Sequence, residues 1–376
     1  MTLRESILNT FAKKETHQIV FSPRIYYWYL GNKIYSKRKS NISSNIPSHY
    51  YGKKQIDIYT DLCASPRYSE ETLYISLYDE IINSDANIKL IRQKGSKPDE
   101  TILLFKTPHG KLKQIESVGG GIGGHLTEYP IKSLEDIKIM QYILENTTFY
   151  FSKEKYETAD AQFGESCVTS TYLSKSPYQK LVTQFMGFTQ TILFLKRYPS
   201  QMDNFMRFLE DWDDQMYYQI EKSPIKIINF GENLDSNLSP PHYFEKYHIP
   251  YYEKRVKQLH RVGKYCHIHI DGSLRDFLPY FAELPFDGLE ALTAKPQGDV
   301  SLEEIKNSIG DKILLDGIPS ILFLPQYKKS YLKKYTQTVL DLFFPNLILG
   351  VSDELSPNGD IRKIEMIAKM IQNFEA

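Results

Sequence analysis

Cysteine is scarce in this 376-residue chain, and the three that occur, Cys63, Cys167 and Cys266, show no C-x-x-C spacing. Disulfide frameworks and structural zinc sites built from thiolates need paired or closely spaced cysteines. The sequence therefore excludes a disulfide-stabilised scaffold and a thiolate zinc knuckle.

Excess charge and long apolar segments are also absent. The 46 lysines and arginines balance 46 acidic residues, so the chain lacks the electrostatic attraction that draws proteins to nucleic acid. No apolar run is as long as a membrane span, and the opening M-T-L-R-E-S lacks the hydrophobic core of a signal peptide. We therefore expect a cytoplasmic protein with neither nucleic acid nor membrane as a partner. The oligomeric state stays open, with a homodimer as one alternative.

What the sequence does contain is a regular alternation of short apolar segments and helical patterns. Residues 87–128 read instead as an antiparallel excursion, and the glycine run Gly119–Gly124 that ends its main part reads as a flexible loop or a lid. Strands separated by helices require a parallel sheet with helical crossovers, and about eight such units favour a closed (β/α)8 barrel, the TIM-barrel fold. We predict one barrel domain over residues 1–376. Its predicted strands are Gln18–Phe21, Phe163–Leu173, Ile225–Phe230, Lys264–Ile270, Gly288–Leu292, Lys312–Leu315 and Leu347–Val351.

The stretch Y-C-H-I-H-I-D-G at residues 265–272 is the strongest candidate for a site. Side chains alternate along a strand, so His267, His269 and Asp271 face one side. These groups bind metals or transfer protons, and in α/β barrels sites form at the carboxyl ends of strands. Two interpretations remain open: a site, or a pair of histidines hydrogen-bonded inside a polar core.

Other polar residues follow predicted strands. Arg24, Tyr27 and Trp28 follow the first strand and are candidates for substrate binding, with ordinary loop packing as the alternative. Asp316 is interpreted as a helix N-cap. Further candidates at strand ends are Glu232, Asn233, Ser352, Asp353 and Glu354.

Three segments resemble the uroporphyrinogen decarboxylase-like superfamily: G-E-N-L-D-S-N-L-S-P-P-H-Y-F-E-K-Y-H-I-P-Y-Y at 231–252, H-I-D-G at 269–272 and G-V-S-D-E-L-S-P-N-G-D-I at 350–361. That superfamily includes heme-pathway decarboxylases and zinc methyltransferases that work with corrinoid proteins. The resemblance implies a (β/α)8 barrel.

The decarboxylases of this superfamily open with an arginine-rich segment that binds the carboxylates of the porphyrinogen. Here the equivalent segment is P-R-I-Y-Y-W-Y-L-G, with a single arginine at position 24. Because each desolvated carboxylate needs a partner, one guanidinium matches such a substrate poorly. In the coenzyme M-type methyltransferases, the zinc ligands are a histidine and two cysteines, which correspond here to His269, Asp271 and Asp353.

The corrinoid methyltransferases that demethylate methoxylated compounds are similar in another pattern, E-x14-E-x20-H. Glu232, His248 and His269 give E-x15-H-x20-H, so the resemblance implies these three residues as zinc ligands. It implies a methyltransferase that moves a methyl group from a small O- or N-methylated substrate to a corrinoid held by a partner protein, with zinc as Lewis acid. Asp271 and Asp353 would then be catalytic, and Arg24, Tyr27, Trp28 and Asn233 would bind substrate. The alternatives are a porphyrin-pathway decarboxylase and a non-enzymatic barrel that docks a corrinoid protein.

Overall fold

The computed structural model describes residues 1–16, 18–34, 36, 46–67, 77–118 and 124–374. The predicted loop at Gly119–Gly124 therefore lies almost entirely outside the described residues. No helix in the described ranges combines the length and the apolar character needed to cross a membrane.

The described ranges contain thirteen strands. They are β1 (Val20–Phe21), β2 (Tyr78–Ile82), β3 (Lys89–Lys94), β4 (Glu100–Thr107), β5 (Gly110–Ser117), β6 (His125–Glu128), β7 (Thr147–Phe151), β8 (Ser170–Tyr172), β9 (Ile227–Leu234), β10 (Tyr265–Ile270), β11 (Gly288–Glu290), β12 (Ile313–Pro319) and β13 (Leu347–Ser352).

The α-helices alternate with the later strands. They are α1 (Leu3–Phe11), α2 (Tyr26–Gly31), α3 (Gln55–Asp61), α4 (Leu134–Glu145), α5 (Lys153–Phe163), α6 (Pro177–Lys180), α7 (Phe188–Arg197), α8 (Pro199–Lys222), α9 (Pro241–Tyr243), α10 (Ile249–His260), α11 (Leu302–Ser308), α12 (Lys329–Phe343) and α13 (Ile361–Gln372). Two π-helical turns, Leu181–Phe185 and Phe244–His248, follow α6 and α9.

A seven-stranded parallel sheet, in the order β1-β13-β12-β11-β10-β9-β8, forms the centre of the molecule. This order is compatible with the predicted barrel, although seven described strands are hydrogen-bonded rather than eight. At the two edges, Ser65 N donates to Phe21 O (2.8 Å) and Leu77 N donates to Thr171 Oγ1 (3.3 Å). Ser65, which precedes residues 68–76, therefore contacts the β1 edge of the sheet, and Leu77, which follows them, contacts the β8 edge.

The antiparallel excursion is confirmed. Strands β3, β4, β5 and β6 form a four-stranded antiparallel sheet, and β2 pairs with β7 in a separate ribbon. One strand prediction was wrong in its extent. The residues predicted as a strand over Phe163–Leu173 include the end of α5 and form a strand only at Ser170–Tyr172. After β10 the chain forms a 3-10 helix at Arg275–Tyr280, which contains Pro279.

Helix α1 covers one end of the sheet. Its Ile7 and Phe11 pack in an apolar cluster with residues near the amino ends of strands, including Val20, Ile227 and Ile348. This packing seals the amino ends of the parallel strands. The polar side chains described below therefore collect at the opposite, carboxyl end, where barrels and open α/β sheets place their sites.

Candidate functional site

The site is organised around His269, near the end of β10. Its backbone is in register with Glu290 of β11, so the two side chains are neighbours on one face of the sheet. His269 Nδ1 is 2.8 Å from Glu290 Oε2, and Asn229 Nδ2 donates to the same oxygen at 3.0 Å. Because a carboxylate accepts hydrogen bonds, Nδ1 carries a proton, and Nε2 is the ring nitrogen left for a partner other than Glu290.

His269 lies beside two carboxylates at the mouth of the sheet. His269 Nε2 lies 3.6 Å from Asp353 Oδ1, and ligand atoms of His269, Asp271 and Asp353 all lie within 4.8 Å of one another. His269 is buried, whereas Asp271 and Asp353 are partly exposed. One nitrogen and two carboxylate oxygens therefore converge at the mouth of the sheet, in an arrangement that can hold a metal ion.

Two arginines occupy the same region. Arg24 forms ion pairs with Asp353, with Asp316 (Nη1–Oδ2, 3.6 Å) and with Glu354 (Nε–Oε1, 3.4 Å). Arg67 forms ion pairs with Asp316 and, at 3.3 Å, with Glu290.

Sequence reasoning missed some of these residues. The interpretation of Asp316 as an N-cap was wrong, because Asp316 is fully buried within β12 and bridges both arginines. Arg67 and Glu290 were not among the candidates. A signal for Arg67 was present, since S-P-R at 65–67 repeats S-P-R at 22–24.

Negative charge exceeds positive charge in this cluster. Five carboxyl groups, those of Asp271, Glu290, Asp316, Asp353 and Glu354, lie with two guanidiniums. Burial, together with the charge of Asp353, raises the pKa of Asp271. Burial also raises the pKa of Glu354 to about 7, in spite of the charge of Arg24. Burial is the main cause of both shifts, and a cation bound beside these carboxyl groups would favour their ionised forms.

The structure places the three predicted zinc ligands in two separate groups of side chains. Glu232 lies inside β9 rather than after it, and its two carboxylate oxygens accept from Ser176 N (2.7 Å) and Ser176 Oγ (2.9 Å). His248, in the second π-helical turn, places Nδ1 2.9 Å from Tyr252 Oη and 3.1 Å from Ser176 Oγ. Its burial lowers its pKa to about 3, so its ring is neutral. Glu232 and His248 thus share one buried network around Ser176, while His269 is grouped with Asp271 and Asp353.

The four predicted substrate-binding residues also lie in different environments. Arg24 is buried and forms ion pairs with Asp353 and Glu354. Tyr27 is partly buried beside Glu354 and Asp353, and its burial, with their charges, raises its pKa. Trp28 lies in the core, 6.0 Å from Tyr50 in an edge-to-face contact. Asn233 is exposed, with a left-handed φ of 54° that asparagine tolerates better than most residues.

Lys175 lies between β8 and α6, at the same end of the sheet. Its Nζ donates to Gly231 O (2.6 Å) and Glu232 O (2.8 Å) on the neighbouring strand β9. Burial lowers the pKa of Lys175, and the carboxylates of Glu232 and Asp271 oppose that shift. The amine of Lys175 therefore lies within electrostatic range of the cluster of His269, Asp271 and Asp353.

Comparison with known proteins places this geometry in a family. A methyltransferase from Methanosarcina mazei has a TM-score of 0.63 and 12% sequence identity, and the match covers 100% of this chain and 99% of that chain. A B12-independent methionine synthase from Shewanella sp. W3-18-1 has a TM-score of 0.44 and 10% identity over 95% of this chain and 97% of that chain. At such identities the likeness concerns the fold alone.

No curated protein sequence matches the chain. The model of the family described as uroporphyrinogen decarboxylase (URO-D) matches residues 118–374, well over half of the sequence. The chain therefore belongs to the URO-D family.

Proposed function

We propose that this protein is a zinc-dependent methyltransferase, which takes a methyl group from a small O- or N-methylated molecule and passes it to a corrinoid carried by a partner protein. The observation that carries the proposal is the convergence of His269, Asp271 and Asp353 within 4.8 Å at the carboxyl end of the sheet. The metal ligands of this proposal are therefore these three residues, not the set Glu232, His248 and His269.

The chemistry of these donors fits a zinc ion. Zinc accepts histidine nitrogen and carboxylate oxygen, and a catalytic zinc has three protein ligands and an open position. The hydrogen bond from His269 Nδ1 to Glu290 is the carboxylate–histidine contact that orients a metal-binding imidazole. A bound zinc would supply Lewis-acid polarisation of the heteroatom that loses the methyl group.

The surrounding residues would hold this arrangement in place. Glu290 keeps the proton of His269 on Nδ1 and so presents Nε2 to the mouth. Arg24 contacts Asp353 and limits its movement. Tyr27, partly buried beside Glu354, offers an aromatic face to the methylated part of a substrate.

Similarity supports methyl transfer in particular. The structure from Methanosarcina mazei, whose fold matches this chain over its full length, is described as a methyltransferase. The positions of His269, Asp271 and Asp353 correspond to the zinc ligands of coenzyme M-type enzymes in the segments that resemble them. With oxygen in place of thiolate sulfur, the site is a stronger match to activation of a methylated heteroatom than to activation of a thiol.

Porphyrinogen decarboxylation is the second candidate, since the family carries that name. It requires cations that are free to bind several substrate carboxylates. Both arginines already contact carboxylates of the cluster: Arg24 contacts Asp316, Asp353 and Glu354, and Arg67 contacts Glu290 and Asp316. A polyanionic substrate would add charge to a site with an excess of acids, and this disfavours the decarboxylase. The third alternative, a barrel that only docks a corrinoid protein, gives the buried cluster of charged side chains no role, and this disfavours it.

The test joins metal binding to methyl transfer. The wild-type protein is expected to bind about one zinc per chain and to methylate cob(I)alamin with a methoxylated aromatic donor. Asp353→Asn should weaken zinc binding by at least about 100-fold, more than the loss of a residue that only orients a ligand, and should abolish transfer. Asp276→Asn, which alters an exposed acid on the following 3-10 helix, is the matched control. Full zinc affinity and transfer in Asp353→Asn, or wild-type protein that binds no zinc, would refute the proposal.

A further inference from the structure

The cluster creates an electrostatic problem for the proposed reaction. When a methyl group leaves an oxygen, the bonding electron pair stays on that oxygen and negative charge develops there. The cluster holds five carboxyl groups, and two of them, Asp271 and Asp353, would as ligands offset the charge of a bound Zn²⁺ ion. Because like charges at short range disfavour a developing anion, the site needs a cation that the acids have not neutralised.

The arginines do not meet that need. Arg24 and Arg67 each contact at least two carboxylates, and Arg24 is almost completely buried. Their charge is used to hold the acids in place. An additional anion near them would compete with those ion pairs.

Lys175 differs from both arginines in how its charge is held. Two of the three ammonium hydrogens point to backbone carbonyl oxygens, those of Gly231 and Glu232. Within the described ranges, the ion pairs closer than 4.0 Å do not include Lys175. Strand β9, which accepts these two hydrogen bonds, also accepts one from Asp271 N at Leu234 O (3.0 Å), so Lys175 and a proposed metal ligand both adjoin the carboxyl end of this strand. Lys175 therefore keeps one hydrogen available beside the cluster.

The loop that carries Lys175 is firmly held. The next residue, Ser176, is completely buried and bonds to both carboxylate oxygens of Glu232. Gln179 Nε2, one turn into the following helix, donates to Glu232 O at 2.9 Å. The network around Ser176 thus fixes the position of the ammonium, as electrostatic stabilisation of a transition state requires.

We propose that Lys175 contacts the leaving oxygen of the methyl donor and stabilises the negative charge that develops on it. This rests on the proposed function and narrows its substrate class to O-methyl compounds. The O–CH3 bond breaks with its electrons on oxygen, and the methyl carbon bonds to the acceptor, which supplies the electron pair for the new bond. The oxygen leaves as an alkoxide or phenolate beside Lys175 Nζ and takes its proton from solvent after release. A quaternary ammonium donor leaves as a neutral amine and gains nothing from this cation.

The first experiment measures anion binding without any methyl transfer. The probe is 4-nitrophenol, whose ionised form has a distinct absorbance, titrated into the zinc-loaded wild-type protein and into the Lys175→Met, Lys175→Arg and Lys226→Met variants. Lys175→Met should bind the phenolate roughly tenfold more weakly, a modest share of a short-range charge interaction, with unchanged binding of neutral nitrobenzene. Lys175→Arg should retain most of the affinity, and Lys226→Met, which alters an exposed lysine at the start of β9, should match wild type.

The second experiment measures transfer from a series of aryl methyl ethers with leaving groups of different acidity. Lys175→Met should lose about 100-fold or more in kcat with anisole, as enzymes do when one donor to a developing oxyanion is removed, and much less with 4-nitroanisole. A lysine that merely secures its loop would lower thermal stability and affect all ethers equally.

The outcomes separate the two proposals. Equal losses for all ethers, or unchanged binding of the phenolate in Lys175→Met, would overturn the role of Lys175 while methyl transfer stands. Phenolate binding that depends on Lys175 in a protein that transfers no methyl group from any ether or methylated amine would leave Lys175 as an anion-binding residue and overturn the methyltransferase.

Discussion

Glu290→Gln tests the electrostatic account of the site most directly, because Glu290 connects the arginines to His269. The side chain is fully buried. Its Oε2 accepts from His269 and Asn229 at 2.8 and 3.0 Å, and its Oε1 faces Arg67 Nε at 3.3 Å. Burial alone would raise the pKa of Glu290, but the charges of Arg67 and His267 and the hydrogen bond from His269 hold it well below its ordinary value.

The magnitude follows from these contacts. Glutamine keeps one oxygen for His269 and Asn229, but its amide nitrogen then faces Arg67, a donor against a donor. The loss of a charged hydrogen bond costs about 1.5–3 kcal/mol, so we expect Glu290→Gln to lower the free energy of unfolding by about 2–3 kcal/mol at neutral pH. Zinc affinity should fall by about 10–100-fold, because His269 loses the carboxylate that orients it.

The pH dependence has a definite sign. The pKa of Glu290 is depressed in the folded state, so its contribution is fully present above the unfolded pKa of about 4.3 and is lost as the pH falls towards the folded pKa. The difference in free energy of unfolding between wild type and Glu290→Gln should therefore be smaller than its value at neutral pH by about 0.6 kcal/mol at about pH 4 and by about 1.2 kcal/mol at about pH 3.5.

Urea denaturation of the metal-free proteins measures these values. Circular dichroism and the fluorescence of the two tryptophans, Trp28 and Trp212, should give coincident transitions, which is the condition for a defined free energy. Glu303→Gln, which alters an exposed glutamate of α11, is the control. A loss below about 0.5 kcal/mol, the range of ordinary surface substitutions, or a difference that grows as the pH falls, would refute the reasoning.

Two further predictions concern packing around the site. Gly350→Ala should lower the free energy of unfolding by about 1–3 kcal/mol, because the added Cβ would lie 2.5 Å from a buried carboxylate oxygen and 2.6 Å from a backbone carbonyl oxygen. Urea denaturation measures this loss, and an unchanged free energy of unfolding would show that the strands separate easily there. Lys180→Met should cost about 3–5 kcal/mol, because it leaves Asp213 buried without its cation. Burial already raises the pKa of Asp213, so the variant should recover stability as the pH falls and the carboxyl group takes up a proton; a loss that is independent of pH would contradict this.

Much of the fold was predictable because its signals are local. The capping box of Ser133 and Asp136 predicts the start of α4, and the structure shows both of its hydrogen bonds. The alternation in residues 265–270 predicts β10 and the shared face of His267 and His269. The strand predicted over Phe163–Leu173 began too early, because Phe163 is the last residue of α5 and Gly164, with a positive φ of 49°, ends that helix.

The candidate site depended on contacts between distant segments. The repeated S-P-R tripeptide marks Arg24 and Arg67 in the sequence, but only the pairing of strands brings both to Asp316. Glu290 is unremarkable in G-L-E, and it becomes the partner of His269 through the register of β10 on β11. Neither relation leaves a pattern in the local sequence.

The sequence by itself determined the order of strands and helices and the residues that each strand turns to one face, because alternation and capping act within a few residues. Only the tertiary structure decided which polar residues meet. The pairing of β9 with β10 shifts register between Ile268 and Ile270, and β9 extends through Glu232. Glu232 therefore bonds to Ser176, while His269 is grouped with Asp271 and Asp353. The spacing of two residues along the chain does not determine whether their side chains meet, because strand register and the packing of neighbouring helices set where those side chains point.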